Sequence, residues 1–256
     1  MYLAIEPQKT CALAWLAATR EVNSKPGHEH FNVVVDIADP LGMSAKDDAI
    51  AKRVDAFLQE QNAWPLQTVA NTIFPEAIYA RHGSPKFYEV YLKKIYPKIK
   101  RKKGDWGRYF ERMITFPLEK KGQVINPLGD LVQKIKDQLK GDRCFKSIYE
   151  LTIYDPIRDA GPVMNRQCLS FLSFKITDDG ERRLLLTAVY RNQYYITRLL
   201  GNLIGLGRLM RFVAKETGLA VGSLTVVSTH AEVDVLGSRP KVQELLTDCA
   251  SIVAAT

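Results

Sequence analysis

One of the four cysteines, Cys168, has neighbours that suit a reactive thiol. It begins an apolar, strand-like segment, and Arg166 lies two residues before it. A cation near a thiol lowers the thiol pKa and increases the fraction of thiolate, which is the nucleophilic form. The pattern therefore allows nucleophilic catalysis at Cys168. The other interpretation is a buried strand cysteine that packs as a small hydrophobe.

A second polar pair, Arg191 and Asn192, comes late in another apolar, strand-like segment. Polar side chains in this position are typical of groups presented at a sheet edge. They are also found in ordinary turns, so the local pattern leaves both interpretations open.

The positive charge of the chain is concentrated in one segment. The formal net charge is +8, and the segment from Lys93 to Arg108 holds eight basic residues against Asp105 alone. One interpretation is a solvated loop or helix end. The other is a strip that contacts a nucleic-acid backbone, with Tyr91, Tyr96 and Trp106 as stacking surfaces.

Hydrophobic periodicity predicts helices and strands in mixed order. In the first half, it predicts a strand over 32–39, a helix over 45–61 capped by Ser44, and a helix over 128–139. In the second half, it predicts strands over 145–154, 168–176, 184–195 and 223–228, a helix over 197–217 that ends at Gly218, and a helix-like tail near 242–252. This order predicts an α+β fold, with one domain over residues 1–256 built on a single mixed sheet packed with helices.

Composition excludes several classes of protein. Apolar residues make up 46% of the 256 residues and charged residues 25%, which is typical of a folded globular chain. No apolar run approaches the roughly 20 residues that a bilayer span needs, so we expect no membrane partner. The four scattered cysteines, without a CxxC pair, indicate a reduced, cytoplasmic protein without a bound metal.

Several motifs in the second half occur in a distinctive order. Cys168 precedes Phe174 by six residues, Arg191 precedes Asn202 by eleven, and a Thr229-His230 pair follows a further strand-like run. This order resembles the thymidylate synthase family, in which the nucleophile lies in Pro-Pro-Cys-His-x-x-x-x-Phe and a later strand ends in Gln-Arg-Ser.

Two upstream stretches add to this resemblance. The run 106–110 (Trp-Gly-Arg-Tyr-Phe) is similar to the family's Tyr-Gly-x-x-Trp-Arg motif, and the run 126–135 is similar to the helix that follows it. The similarity covers about residues 105–235, whereas residues 1–100 diverge. By resemblance, we expect a thymidylate-synthase-like mixed sheet and a homodimer.

The resemblance implies roles for residues that would bind a pyrimidine nucleoside monophosphate. Cys168 would add to C6 of the ring, and C5 would then attack a one-carbon unit carried by 5,10-methylenetetrahydrofolate. Arg191 would bind the phosphate, together with Arg143 from across the dimer interface. Asn202 would bind the base, and His230 would bind a sugar hydroxyl. Arg166 and Asn192 are the remaining candidates for nucleotide contacts.

Further roles concern proton transfer and the cofactor. Glu76 is the candidate for the family's general base, although a surface glutamate near a helix start is the alternative. Trp106 aligns with the tyrosine that helps to remove the C5 proton, and a shift of three residues puts Tyr109 there instead. Tyr194 falls where the family has the aspartate that binds the pterin of folate, so Trp106 and Tyr194 are the cofactor-side positions.

The departures from the family fall mainly on the folate side. Leu169 replaces the histidine after the nucleophile, and Glu232 replaces the tyrosine that pairs with the sugar-binding histidine. Asn202 favours uracil, because related deoxycytidylate hydroxymethylases carry aspartate there. Three functions follow, in order of preference: methylation or hydroxymethylation at C5 of a pyrimidine nucleotide, nucleotide binding without turnover, and nucleic-acid binding through 93–108.

Overall fold

Alternating burial along the strands defines the architecture in the computed structural model, which describes residues 2–100, 107–118, 123–141, 145–161, 166–177 and 180–255. The strands are β1 (Leu3–Ala4), β2 (Glu29–Ile37), β3 (Phe116–Pro117), β4 (Val124–Ile125), β5 (Glu150–Thr152), β6 (Leu169–Ile176), β7 (Arg183–Tyr190), β8 (Gln193–Tyr194) and β9 (Ala220–Glu232). Seven of them form one mixed sheet in the order β1-β2-β9-β7-β6-β5, with β8 beside β9, while β3 and β4 form a separate hairpin.

Helices fill the rest of the described chain. They are α1 (Cys11–Asn23), α2 (Ala45–Glu60), α3 (Leu66–Ile73), α4 (Glu76–His82), α5 (Lys86–Val90), α6 (Tyr96–Ile99), α7 (Tyr109–Ile114), α8 (Pro127–Leu139), α9 (Pro156–Asp159), α10 (Leu200–Thr217) and α11 (Arg239–Ala254). A 3-10 turn spans Pro26–His28, and π-helical turns span Tyr91–Ile95 and Tyr195–Leu199. The α+β class and the mixed sheet predicted from the sequence are confirmed.

The central part of the sheet combines both pairing directions. β7 runs antiparallel to β6 and parallel to β9, and β9 runs antiparallel to β2. Helices α1 and α10 pack against the sheet, and α3 packs on α10. The start of β6 and the ends of β7 and β9 therefore lie side by side at one end of the sheet, here called the sheet edge.

Several predicted elements agree with the structure because their caps are local. Ser44 caps α2 through a capping box with Asp47, and Gly218 ends α10 in the left-handed conformation.

The predicted strand 145–154 is wrong over most of its length, since only Glu150–Thr152 pairs with β6. The predicted strand 184–195 is interrupted after Tyr190, and its last part forms the separate strand β8, which pairs with β9 instead of continuing β7.

Helix α1 was not predicted from hydrophobic periodicity, because the helix is buried on most sides. Its apolar residues do not form a single stripe, and Trp15 is completely buried against the turn Tyr195–Leu199. The Trp15 indole N–H donates to the Tyr195 carbonyl oxygen at 2.7 Å. None of the helices in the described part of the chain is long and apolar enough to cross a membrane.

Close packing of α10 on α3 depends on glycine. A Cβ atom on Gly205 would lie 2.8 Å from the Ala70 carbonyl oxygen, and a Cβ on Gly201 would lie 2.5 Å from the Val69 Cβ. The two backbones therefore approach more closely than alanine allows.

We predict that Gly205→Ala lowers the free energy of unfolding by about 1 to 3 kcal/mol, because overpacking outweighs the better helix propensity of alanine. Urea denaturation followed by circular dichroism measures this change. Gly141→Ala is the control, since its Cβ would meet nothing closer than the Gln138 carbonyl oxygen at 3.7 Å. Equal stability of the two variants would contradict the close-approach argument.

Candidate functional site

A cavity of about 980 Å³ opens at the sheet edge where β6 begins and β7 and β9 end. This volume lies at the upper end of the range typical of small-molecule sites. Seven of the predicted site residues line it: Tyr109, Arg166, Cys168, Arg191, Asn192, Tyr194 and Asn202. The tertiary structure thus brings together most of the predicted site.

Cys168 immediately precedes β6, and its backbone is held by neighbours on two sides. Its carbonyl oxygen accepts from the Arg191 backbone N–H at 2.9 Å, which continues the β6–β7 pairing by one residue. Its own N–H donates to the Tyr109 hydroxyl oxygen at 3.2 Å. These bonds fix the backbone that carries the thiol at the cavity wall.

The charge state of Cys168 is set by opposing effects. Burial raises the pKa of its thiol, and the positive charges of Arg191, Arg198 and Arg166 oppose that rise. Burial has the larger effect, so the net pKa stays above the ordinary value. An anionic ligand would neutralise part of the cationic support, whereas removal of water by the ligand would strengthen the remaining interactions.

Tyr109 is oriented as a proton donor. Its hydroxyl oxygen accepts from the backbone N–H groups of Cys168 and Leu169, at 3.2 and 3.4 Å. Burial, together with the nearby Cys168 thiol, raises the pKa of Tyr109 to about 12. The phenol therefore remains protonated near neutral pH, and its hydrogen is available to an acceptor in the cavity.

Four arginines line the cavity, and three of them donate hydrogen bonds to backbone carbonyl oxygens of the protein. Arg191 donates from Nε to the Gln167 carbonyl oxygen and from Nη2 to the Arg166 carbonyl oxygen, each at 3.1 Å. Arg166 donates to the Asp159 carbonyl oxygen at 3.2 Å, and Arg108 donates to the Gly107 and Ile99 carbonyl oxygens. The Arg191 bonds hold the backbone of residues 166 and 167, directly before Cys168, and the four arginines give the cavity a positive lining.

The fourth arginine, Arg198, makes a different contact. Its guanidinium carbon lies 4.5 Å from the centre of the Trp64 ring, which is a cation–π distance. Burial lowers the pKa of Arg198, against the opposing effects of Tyr109, Asp234 and Cys168. A cation held in such a desolvated place favours binding of an anionic or strongly polar ligand.

Two buried amides face the same cavity. Asn202, in the first turn of α10, is only 4% exposed, and its side chain makes no hydrogen bond with a described residue. Gln193 accepts a 2.6 Å bond from the Ser228 hydroxyl, while its Nε2 is buried without a partner in the described part of the chain. Buried polar groups are usually satisfied, so these amides indicate a ligand position.

Two predicted residues are not among those that line the cavity. Glu76 begins α4 and pairs with Arg208 and Arg211. The Nδ1 atom of His230 contacts the Asn192 side-chain oxygen, and its Nε2 lies 3.1 Å from a Glu29 carboxylate oxygen. His230 therefore orients Asn192, and both of its ring nitrogens are occupied. Arg143 and Trp106 lie outside the described residues.

The basic segment is only partly described, over 93–100 and 107–108. Lys93 forms an exposed ion pair with Glu89 at 2.7 Å. Tyr91 is 2% exposed and packs edge-on against Phe110, so its ring is unavailable for stacking on a base. The suggestion of Tyr91 as a stacking surface is therefore wrong, because the turn Tyr91–Ile95 points this ring into the core.

Sequence reasoning missed several lining residues, chiefly Trp64, Gln193, Arg198 and Asp234. Arg198 carried one usable signal, since it lies four residues before Asn202 in a segment predicted to be helical. Trp64 carried none, because it reaches the cavity from a loop distant in sequence. Within the described ranges, no three His, Cys, Asp or Glu side chains are grouped to hold a metal ion.

No protein-family model matches the chain, and no curated protein matches it significantly.

The environment of the cysteines predicts selective alkylation. Burial raises the pKa of both Cys11 and Cys249 to about 12, whereas Cys168 has three cations nearby and lines the cavity. We predict that iodoacetamide labels Cys168 before Cys11 and Cys249, at a rate that still rises above pH 9 because its own pKa is raised. Peptide-resolved mass spectrometry after timed quenching measures each cysteine separately.

The control for this labelling is Cys168→Ala, which should remove the Cys168 peptide signal and leave the labelling rates of Cys11 and Cys249 unchanged. Labelling of Cys11 or Cys249 ahead of Cys168 would contradict the assignment of Cys168 as the most accessible of these three thiols.

Proposed function

We propose that the protein transfers a one-carbon unit to C5 of a pyrimidine nucleotide, with Cys168 as the nucleophile. One observation carries the proposal: the Cys168 thiol, the Arg191 guanidinium and the unpartnered Asn202 amide line a single cavity. A thiol, a cation and a hydrogen-bonding amide are the groups required to attack, anchor and read such a substrate. The resemblance of the chain to thymidylate synthase supports the same function.

The chemistry begins with addition of the thiolate to C6. The S–C6 bond forms, the C5–C6 π bond breaks, and its electron pair is delocalised over C5 and O4. C5 would then form a bond to the one-carbon unit and lose its proton to the solvent, and the bond between that unit and its folate carrier would break. Water would supply the hydroxyl of a hydroxymethyl product, whereas a methyl product would need a hydride, which tetrahydrofolate would supply. Loss of the thiolate restores the C5–C6 double bond and frees Cys168. The protonated Tyr109 is positioned beside the thiol as a proton donor.

The phosphate of the nucleotide would bind to the arginine-rich wall. Arg191 retains Nη1 in addition to the two nitrogens that hold the Cys168 loop. A guanidinium suits a phosphate because its parallel N–H groups match the phosphate oxygens. His230 acts through Asn192 in this proposal, because neither ring nitrogen is left for a sugar hydroxyl.

The cavity also has features that fit a flat one-carbon donor such as methylenetetrahydrofolate. Trp64 and Tyr194 line it and are 52% and 41% exposed, so both present aromatic surface to a ring. Glu232 adds a hydrogen-bond acceptor to the lining. When bound, the folate would supply carbon at the oxidation level of formaldehyde. Trp64, Tyr194 and Glu232 are the residues that would hold it.

Nucleotide binding without turnover is the second candidate. It is favoured by the raised pKa of Cys168, which lowers the thiolate fraction, and by the location of Glu76 outside the cavity. Nucleic-acid binding ranks third, because Tyr91 is buried.

A homodimer is the assembly that we propose, formed through the open face of the sheet. On that face, four partly exposed apolar side chains lie in register across β6, β7, β9 and β2, namely Phe171, Val189, Val227 and Val34. A second copy of the chain would cover this row and bury surface on the scale of about 800 Å² per partner that stable interfaces need.

We predict that the wild-type protein sediments as a dimer and that Val227→Asp sediments as a monomer, because a buried, unpaired carboxylate would oppose association. Analytical ultracentrifugation over a range of concentrations measures this. Val124→Asp replaces an exposed valine of the β3–β4 hairpin and is the matched control. A dimer that persists in Val227→Asp would show that another surface mediates association.

The proposed reaction predicts release of tritium from C5-labelled dUMP, UMP, dCMP or CMP. We expect Cys168-dependent release with a uracil nucleotide, greatest when methylenetetrahydrofolate is present, and a product mass that distinguishes a methyl from a hydroxymethyl group. Cys168→Ala should abolish release while retaining nucleotide affinity, because it removes only the nucleophile. Cys249→Ala, a buried cysteine of α11, is the matched control.

No release from any labelled nucleotide, by a folded protein that still binds one of them, would favour the second candidate. Equal release by wild type and Cys168→Ala would remove Cys168 from the reaction.

A further inference from the structure

Arg198 and Asn202 lie four residues apart at the start of the crossover to β9, and the proposed reaction gives Arg198 no role. Arg198 lies in the π-helical turn Tyr195–Leu199, and Asn202 lies in the first turn of α10, which continues directly from it. Residues four apart on helical backbone project on the same side. Both side chains line the cavity.

Neither member of the pair is satisfied by the described protein. Arg198 stacks on Trp64 but makes no hydrogen bond or ion pair with a described residue, and Asn202 makes no side-chain hydrogen bond. The nearby carboxylate, Asp234, is already engaged. It accepts from the Ile196 backbone N–H at 2.8 Å and from the Thr197 hydroxyl at 2.7 Å.

The position of Arg198 is fixed by the contacts of its turn. Trp15 donates to the Tyr195 carbonyl oxygen at one side, and Asp234 caps the free N–H groups at the other. The cation–π contact with Trp64 limits where the guanidinium can lie, and its N–H groups bond no described residue, so they are available to a ligand. Preorganised donors of this kind are effective where negative charge develops during a reaction.

We propose that Arg198 and Asn202 together bind O4 of a uracil base and stabilise the negative charge that O4 gains when Cys168 adds to C6. This inference rests on the proposed function and extends it to a second donor and to base selection. In the addition step, the thiolate electron pair forms the S–C6 bond, and the π electrons move to C5 and O4. Protonation at C5, loss of the original C5 hydrogen and expulsion of the thiolate return the base with an exchanged hydrogen.

The pair also predicts which base is accepted. A guanidinium only donates hydrogen bonds, whereas the corresponding exocyclic group of cytosine is an amino donor. Arg198 would therefore face a donor in cytosine and an acceptor in uracil. Leaving buried donors unpaired is costly, so uracil nucleotides should bind preferentially.

The test measures Cys168-dependent exchange of tritium from C5-labelled UMP and dUMP without folate, in wild type and Arg198→Gln. We expect the exchange rate at saturating nucleotide to fall by about 100-fold, the scale found when one oxyanion donor is removed. Arg208→Gln is the matched control, because Arg208 is a partly buried arginine of α10 that bonds Glu76 and Gln67 outside the cavity. An unchanged rate in Arg198→Gln would overturn the proposal.

A binding measurement separates this inference from the proposed reaction. Calorimetry in the Cys168→Ala background compares UMP, CMP and uridine. If Arg198 reads the base, Arg198→Gln should weaken UMP and uridine by the same factor and reduce the preference for UMP over CMP about tenfold. A loss confined to UMP would identify Arg198 as a phosphate ligand, and an unchanged preference would remove it from base selection. Either result would overturn the inference.

These two measurements also distinguish the ways in which the proposals can fail. If wild type exchanges no tritium but the base preference collapses in Arg198→Gln, the reaction is wrong and the base-reading role of the pair stands. If wild type binds neither UMP, CMP nor uridine, both proposals are wrong.

Discussion

The parallel pairing of β7 with β9 is the constraint on which the site depends. Parallel neighbours cannot be joined by a hairpin, so the chain must cross over between them. The crossover here consists of the turn Tyr195–Leu199 and α10, and it begins directly after β8, the short strand that follows β7. Arg198 and Asn202 are thereby delivered to the same sheet edge as Arg191. The antiparallel partner β6 begins at that edge, which adds Cys168.

The loop before Cys168 is held by charge as well as by backbone pairing. Arg112 and Asp159 form an ion pair with side chains only 2% and 1% exposed, and the Arg112 guanidinium donates to both carboxylate oxygens. Burial alone would raise the pKa of Asp159, but the bonds from Arg112 hold it below the usual range. The Asp159 carbonyl oxygen in turn accepts from Arg166. Burying this ion pair carries a desolvation cost. The pair is connected, through the Asp159 carbonyl oxygen and Arg166, to the wall of the cavity.

Three unsatisfied polar groups lie near the place where the ligand is proposed to bind. The Tyr190 hydroxyl, the Arg166 Nε and the Gln193 Nε2 are buried without partners within the described ranges, at the end of β7, before β6 and in β8. The Thr115 hydroxyl, which follows α7, is another such group. Such groups cost stability unless another molecule satisfies them. Tyr190 itself belongs to the apolar core, so the region proposed for binding is continuous with the packing that stabilises the fold.

The amino-acid sequence by itself determined the elements whose signals are local: α2 with its Ser44 cap, β7, and α10 with its Gly218 terminus. It also indicated Cys168 and, through motif spacing, Arg191 and Asn202. Only the tertiary structure decided that Glu76 pairs with arginines, that His230 orients Asn192, and that Arg198 faces the cavity. The reason is physical: periodicity reports which side chains avoid water, whereas the neighbours of a polar side chain depend on strand pairings between distant segments.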